Sequence, residues 1–266
     1  MSRTDAILAD LAAEHDALDE RVAALDDERW TTPTPAEGWA VRDQISHLNY
    51  FDDKAKLALT DPDAFRAHVE DLFSGRTPVG DTDLGRTGRH DELLEAWRRD
   101  RRALVDAATK ADPDARVPWY GPAMSLASFL TARLMETWAH GQDVADALDL
   151  PPVVSERLRH VCHIGVGARA YTHRVHGVED TGEPVRVTLR SPSGETWSWG
   201  PEDAANVIEG SALEFALVAT QRRHRDDTSL RANGPVAEQW LSILQAFAGP
   251  AGTGREPGMP IVEAAS

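Results

Sequence analysis

The stretch METWAHGQDVADALDL, residues 135–150, completes a helical pattern that begins near residue 125. Apolar side chains recur along this pattern at intervals of three and four residues, which is the spacing of one face of an α-helix. Two consecutive prolines, Pro151 and Pro152, follow the pattern and predict the end of a folded unit. The apolar positions are Leu126, Phe129, Leu130, Leu134, Trp138, Val144 and Leu148.

Three more long helices are predicted upstream of this one. The first has an apolar stripe that includes Leu11 and Leu18, and Thr4 is its expected cap. His15 lies on the same stripe, so we expect a core or boundary side chain there. Four helices joined by long connections predict an up-and-down four-helix bundle. The predicted helices span residues 4–27, 40–60, 89–111 and 125–148, with one short helix over 62–73.

The second half of the chain has a mixed pattern. PVRVTLRSP, residues 184–192, and ETWSWG, residues 195–200, alternate apolar and polar side chains around a turn, which predicts a β-hairpin. The predicted fold class is therefore α+β, with a four-helix bundle over 1–150, a smaller α/β domain over 151–250 and a flexible tail over 251–266. Helical spacing in this half predicts helices over 154–172, 202–222 and 234–247.

Composition excludes several classes of function. The chain has 266 residues, of which 44 are acidic and 28 are basic, and its net charge is −16. Nucleic acids and anionic membrane surfaces repel such a chain, so neither is an expected partner. No window of about 18 consecutive apolar residues predicts a membrane span. The single cysteine, Cys162, precludes an intramolecular disulfide and, with the charged start of the sequence, favours the cytoplasm.

The strongest candidate for a chemical site is a metal centre. Glu136 and His140 are four residues apart, so a helix projects both from one face, as two ligands of one metal ion require. A surface pair or a polar contact inside the bundle has the same spacing. His47 lies in the middle of the second predicted helix, four residues before Phe51, where it can face the bundle interior. Two histidines and one carboxylate are typical of catalytic metal sites, although spacing alone does not bring His47 to Glu136.

Each of the other candidate residues has a structural alternative. Asp143, three residues after His140, is either a partner or base beside the metal or a solvent-facing helix charge. Arg222 belongs to an arginine-rich stretch that is either a solvated turn or an anchor for a carboxylate. We expect Cys162, on an apolar helix, to be a core residue rather than a nucleophile.

Two sequence patterns, taken together, resemble a known family. TPAEGWAVRDQISHLNYFD, residues 34–52, contains W-x-V-R-D-x-x-x-H, and METWAHGQDVADALDL contains E-x-x-x-H-x-x-D. The pair resembles the DinB-like metal-binding superfamily and, more closely, the mycothiol-dependent maleylpyruvate isomerase family and its actinobacterial relatives. The second half is loosely similar to the C-terminal domain of that family, which is related to sterol-carrier-like α/β folds.

The resemblance implies a set of residues and cofactors. A DinB-like bundle would hold a divalent metal, usually zinc, through His47, Glu136 and His140. An arginine of the C-terminal domain would lie near the metal, and Arg222 is the position that matches it here. The implied cosubstrate is an external thiol such as mycothiol.

These implications predict a metal-dependent enzyme that uses an external thiol for isomerisation of, or S-transfer to, a small electrophilic substrate. Because Cys162 is the only thiol in the chain, the nucleophile would be external. An arginine would bind a substrate carboxylate in a cleft between the domains. The alternative is a non-catalytic metal-binding module or a carrier of a small or lipid-like ligand, with Trp197 and Trp199 at its mouth or packed in the core. A third class is an adaptor that dimerises through the bundle, and the expected state is a monomer or a homodimer.

Overall fold

The computed structural model describes residues 2–262 of the chain. The chain folds as two compact units, of which the first ends at Leu150 and the second begins at Pro151. Helices dominate the first unit and the second combines helices with a four-stranded sheet, so the predicted α+β class is confirmed. None of the described helices has the length and hydropathy needed to cross a membrane.

The first unit contains the four long helices that the sequence predicts, together with shorter elements in the connections. Two strands of two residues each pair antiparallel in the connection before the last helix. The elements are α1 (Arg3–Val22), α2 (Asp27–Trp30), α3 (Val41–Thr60), α4 (Pro62–Phe73), α5 (Asp83–Thr87), α6 (His90–Lys110), β1 (Arg116–Val117), β2 (Met124–Ser125) and α7 (Leu126–Ala147).

The long helices pack around an apolar core. α3 packs against α6 and α7, and α1 packs against the same two helices. Burying each large apolar side chain contributes about 1.5–3 kcal/mol to folding, so this core is the main source of the unit's stability. The core cluster consists of Leu18, Val22, Trp30, Val41, Ile45, Leu48, Leu93, Leu94, Trp97, Val144 and Leu148.

The first helix differs from its prediction at both ends. Ser2 rather than Thr4 caps it, because the Ser2 hydroxyl accepts from the Asp5 amide at 3.1 Å. The Asp5 carboxylate accepts from the Ser2 amide at 2.8 Å in return. This capping box satisfies two amide groups that the helix itself leaves unpaired. The helix ends at Val22 instead of residue 27. A separate helix, α2, begins at Asp27 and is capped by Asp26.

The second unit is built on one mixed sheet. Its strand order is β4-β3-β5-β6, in which only the β3–β5 pair is parallel. The predicted hairpin is confirmed, with Leu189 opposite Trp197. The elements are α8 (Leu158–Gly167), α9 (Arg169–His176), β3 (Val185–Arg190), β4 (Thr196–Trp199), β5 (Asn206–Ser211), α10 (Ala212–Ala219), β6 (Arg231–Asn233) and α11 (Pro235–Ser242).

The prediction of one helix over 202–222 is wrong in its first half, where the structure has strand β5. Ile208 is buried and lies opposite Val187 of the parallel strand β3. Val207 and Ile208 are β-branched, and pairing with a neighbouring strand decides the conformation of such residues more strongly than local spacing does.

The predicted flexible tail, residues 251–266, lies partly outside the described residues, which end at 262. Within the described part, the Gly252 amide donates to Oε1 of Gln245 at 2.9 Å. The Gly258 amide donates to Oδ1 of Asp227 at 2.7 Å. These hydrogen bonds join the tail to the body of the second unit.

Candidate metal centre

The three residues predicted as metal ligands lie together inside the first unit. α3 carries His47, and α7 carries Glu136 and His140 one helical turn apart. Among the described residues, one ligand atom from each of the three lies within 4.8 Å of the other two. Nε2 of His140 is 3.4 Å from Oε2 of Glu136, and the two imidazole ring centroids are 4.4 Å apart.

This donor set suits a divalent transition-metal ion. Zinc binds imidazole nitrogen and carboxylate oxygen at about 2.0–2.2 Å, and two ligands of a tetrahedral ion are then about 3.4 Å apart. The His140–Glu136 distance of 3.4 Å equals that spacing. Three protein ligands leave a fourth position for another molecule.

A chain of hydrogen bonds determines which nitrogen of His140 carries a proton. The Thr34 hydroxyl donates to the carbonyl oxygen of Trp39 at 3.1 Å and accepts from Nε2 of Gln44 at 2.9 Å. The Gln44 amide therefore presents its oxygen to Nδ1 of His140 at 2.6 Å. Because an amide oxygen only accepts, Nδ1 must donate, and Nε2 of His140, which faces Glu136, is the nitrogen that can lose its proton to bind a metal ion.

His47 is oriented in the same way by a different group. Its Nδ1 donates to Oδ2 of Asp81 at 2.8 Å. That hydrogen bond lowers the pKa of Asp81, so the carboxyl group is ionised at neutral pH and can only accept. Nε2 of His47 is the nitrogen left for a metal ion.

Glu136 is held in the form that a metal ligand needs. Burial raises the pKa of Glu136, but the pairing with His140 in its protonated form and the positive charge of Arg133 outweigh burial and lower it to about 2. The carboxylate therefore stays ionised at neutral pH. The Glu136 side chain is 27% exposed and that of His47 is 16% exposed, so both are partly open to solvent.

Aromatic rings border the two imidazoles. The Trp39 ring lies nearly parallel to His140, with an interplanar angle of 19° and a centroid distance of 6.1 Å. Its centroid is 5.2 Å from that of His47, and Phe51, one turn further along α3, is 4.6 Å from His47. The turn before Trp39 uses Gly38 at φ +75°, a conformation that glycine adopts without strain.

A second polar cluster, which we call the Asp52 cluster, joins the same two helices deeper in the bundle. It consists of Asp52, Arg133, His15 and Trp97. Oδ1 of Asp52 accepts from Arg133 at 2.8 Å, and Oδ2 accepts from Nε1 of Trp97 at 3.2 Å. His15 lies 3.5 Å from the same carboxylate and is 2% exposed, so the prediction of a core or boundary histidine is confirmed. Burial lowers the pKa of His15 to about 4.

Comparison with known proteins identifies the family. A family model described as the mycothiol maleylpyruvate isomerase N-terminal domain matches residues 11–145. The chain belongs to the mycothiol maleylpyruvate isomerase family. Two uncharacterized Mycobacterium tuberculosis proteins, MT0041 and Rv0036c, are each 45% identical to it over 252 residues, which is 93% of this chain and 97% of each relative.

Solved structures show the same fold. Crystal structures of the mycothiol-dependent maleylpyruvate isomerase and of a mutant of it each align with 86% of this chain and 92% of their own, with a TM-score of 0.55. Sequence identity in these alignments is 17%, so the likeness concerns the fold alone. A family model described as wyosine base formation matches residues 181–233, which contain the sheet of the second unit.

Two further residues, Asp143 and Arg222, are predicted to assist catalysis. Asp143 is 1% exposed on α7, so the alternative of a solvent-facing charge is wrong. Arg222 belongs to the second unit, where its guanidinium donates to the carbonyl oxygen of Thr220 at 2.7 Å. The roles of Asp143 beside a metal and of Arg222 toward a substrate stay predictions.

Two of the remaining candidates, Cys162 and Trp197, are core residues. Cys162 is fully buried, its thiol donates to the carbonyl oxygen of Ala212 at 3.3 Å, and burial raises its pKa. The prediction of a core cysteine is therefore confirmed. Trp197 is 3% exposed and packs in the core, whereas Nε1 of Trp199 donates to His163 at 3.3 Å.

Two residues beside the ligands, Gln44 and Asp81, are not predicted from the sequence. Gln44 lies three residues before His47, but its partner His140 is 96 residues away. Asp81 lies in a connection without periodic pattern, 34 residues from His47. The one available signal is that Gln44 falls between Trp39 and His47 in the motif that carries the resemblance.

Proposed function

We propose that this protein is a metal-dependent enzyme that uses an external low-molecular-weight thiol, such as mycothiol, on a small electrophilic substrate that carries a carboxylate. One observation carries the proposal. A chain of the mycothiol maleylpyruvate isomerase family has His47, Glu136 and His140 with ligand atoms within 4.8 Å of one another. The metal proposed for these ligands is zinc, which such a set binds at an open, catalytic position.

The proposed chemistry depends on a thiolate. A divalent ion bound by these residues would lower the pKa of a thiol and so supply the nucleophile at neutral pH. Addition of the thiol to a conjugated double bond allows rotation about the resulting single bond, and elimination of the thiol then gives the other geometric isomer. If the attacked carbon carries a leaving group, the same nucleophile gives S-transfer instead.

The chain's own residues have distinct tasks in this proposal. Gln44 and Asp81 hold the two imidazoles with Nε2 available to an ion. Trp39 borders both imidazoles, with its ring centroid 5.2 Å from that of His47 and 6.1 Å from that of His140. Arg222 is proposed to bind the substrate carboxylate, and Asp143 is proposed to act beside the metal. Cys162 is excluded as the nucleophile because it is fully buried.

Metal content and thiol dependence test the proposal. Untagged protein is analysed by inductively coupled plasma mass spectrometry, beside the Glu136→Gln variant. We expect about one divalent transition metal per chain in the wild type and much less in the variant. Isomerisation of maleylpyruvate is then followed by absorbance with mycothiol, without thiol, and after removal of the metal.

The outcomes separate the candidate functions. Turnover that needs both the thiol and the metal supports the proposed enzyme. Stoichiometric metal without thiol-dependent turnover of any cis-unsaturated or halogenated acid would favour a non-catalytic metal-binding module. Wild-type protein that contains no metal and takes up no added zinc would refute the proposal.

A further inference from the structure

The segment that includes α5 is attached to α3 directly beside His47. The amide of Gly85 donates to Oγ of Ser46 at 3.1 Å, and Nε of Arg86 donates to Oδ1 of Asp43 at 2.8 Å. With the bond between His47 and Asp81, three successive contacts join residues 81–86 to one face of α3.

The close approach at Gly85 shows how tightly this segment is seated. A Cβ atom at Gly85 would lie 2.7 Å from the carbonyl oxygen of Arg42 and 3.0 Å from Cβ of Ser46. Backbone must move to admit such an atom, because the nearer obstacle is a main-chain oxygen. The position of Asp81 is therefore determined by packing of the whole segment and not by its own side chain alone.

The two histidines of the cluster have unequal partners. Nδ1 of His140 donates to the neutral amide oxygen of Gln44, whereas Nδ1 of His47 donates to the carboxylate of Asp81. A carboxylate partner fixes the tautomer and also raises the basicity of the opposite nitrogen more than an amide does. His47 is thus the imidazole whose ligand strength depends on a group outside α3 and α7.

We propose that Asp81 is the positioning residue of the metal centre and that seating of residues 81–86 on α3 is linked to metal binding. This inference rests on the proposed function. Asp81 holds Nε2 of His47 toward Glu136 and His140, so it acts through His47 without binding the ion itself. Linkage is reciprocal, so an ion bound at the centre must stabilise the seated segment as much as the seated segment favours the ion.

Zinc affinity of metal-free protein tests the first half of this inference. Wild type, Asp81→Ala, Asp81→Asn and the control Asp83→Ala are titrated with zinc against a chromophoric chelator. Asp83 is an exposed carboxylate in the same segment and is not a partner of His47. We expect Asp81→Ala to bind zinc about 10- to 100-fold more weakly, Asp81→Asn to recover part of the loss through its amide oxygen, and Asp83→Ala to match the wild type.

Two readouts separate positioning from a general loss of structure. Long-range ¹⁵N–¹H spectra of the metal-free protein at pH 8 should show the Nδ1–H form of His47 in the wild type and its loss in Asp81→Ala. Hydrogen exchange of the Gly85 amide should slow when zinc binds the wild type, and should slow less in Asp81→Ala. His47→Ala identifies the His47 signals.

Each result has a definite meaning. If Asp81→Ala binds zinc as tightly as Asp83→Ala does, Asp81 does not position His47 and the inference is overturned. The same holds if His47 has the same tautomer in the wild type and in Asp81→Ala. If zinc binds but exchange at Gly85 does not change, the linkage is overturned. If wild type binds no zinc, the proposed function itself fails, and with it the inference.

Discussion

The two polar clusters between α3 and α7 balance their charges in opposite ways. In the Asp52 cluster, a carboxylate with no exposed surface is paired with Arg133, and the neighbouring His15 is kept neutral by burial. In the candidate metal centre, His47, Glu136 and His140 turn ligand atoms toward one another within 4.8 Å. The first cluster contains its own cation, whereas the second presents two imidazoles and a carboxylate, a donor set that suits a divalent cation.

Buried polar groups therefore have two different uses in one bundle. A buried ion pair that is complete specifies how helices fit together, and its removal leaves an uncompensated charge. A set of partly exposed lone pairs, oriented by Gln44 and Asp81, adds little to folding until an ion arrives. Variants of the two clusters should therefore differ in stability, in pH dependence and in response to zinc.

The largest effect is expected from Asp52→Asn, which leaves the charge of Arg133 buried without its partner. The free energy of unfolding should fall by about 3–5 kcal/mol, measured by urea denaturation of the metal-free protein. The matched control is Asp53→Asn, because Asp53 is 36% exposed and pairs with Lys54 and Lys56 at the surface. We expect a loss of about 0–1 kcal/mol there, and equal losses in both variants would contradict the comparison.

Protonation of His15 should change the free energy of unfolding with pH by a similar amount. Its pKa is about 4 in the folded protein and about 6.5 in the unfolded chain. Between these values only the unfolded state binds the proton, so stability is lost as the pH falls from 6.5 to 4. The loss is about 3 kcal/mol, and His15→Gln should lack it. Urea denaturation at pH 4 to 7.5 measures this, and parallel profiles for the two proteins would show that His15 does not titrate in this way.

Zinc should stabilise the metal centre and leave the Asp52 cluster unaffected. At a free zinc concentration of about 100 times Kd, the wild type should gain about 2.7 kcal/mol, seen as a higher Tm in a thermal melt. Glu136→Gln should unfold near the wild-type Tm without zinc and gain little with it, because it keeps the shape of the side chain but loses the ligand charge. An equal gain in both proteins would place the zinc elsewhere.

The smallest effect should come from Thr34→Val, which removes the hydroxyl between Gln44 and Trp39. Loss of these hydrogen bonds should lower the free energy of unfolding by about 1 kcal/mol. Zinc affinity should fall less than in Asp81→Ala, since the Gln44 amide keeps its bond to His140. Thr32→Val is the control, and the two variants are compared by urea denaturation and zinc titration. If Thr34→Val loses more zinc affinity than Asp81→Ala does, then the Gln44 side of the site matters more for zinc binding than Asp81 does.

Local pattern predicted most of the helices because each long helix buries an apolar stripe of its own. The same reasoning fails at residues 206–211, where the spacing of apolar residues predicts a helix but Ile208 is paired with Val187 of another strand. It also missed β6, whose three residues are too short for a pattern to show. Both failures concern a sheet, in which the decisive contacts join strands that are distant in sequence.

The candidate site was predicted in part for a similar reason. The spacing of Glu136 and His140 is visible because one helix carries both. His47 is a candidate from its position in the middle of a helix, but only the resemblance to the family joins it to Glu136, since no spacing rule connects it to a residue 89 positions away. Asp81 is not predicted, because what distinguishes it is a hydrogen bond from a connecting segment to a helix that ends 21 residues earlier in the chain.

The charge pairing inside the Asp52 cluster bears on which substitutions the bundle tolerates. The buried carboxylate of Asp52 is paired with Arg133 and Trp97, so we expect the bundle to fold without an inorganic ion. On the proposed function, substitution of His47, Glu136 or His140 would remove metal binding and leave the folded bundle in place. The scaffold would then tolerate a change of substrate, or the loss of catalysis, without the loss of the fold.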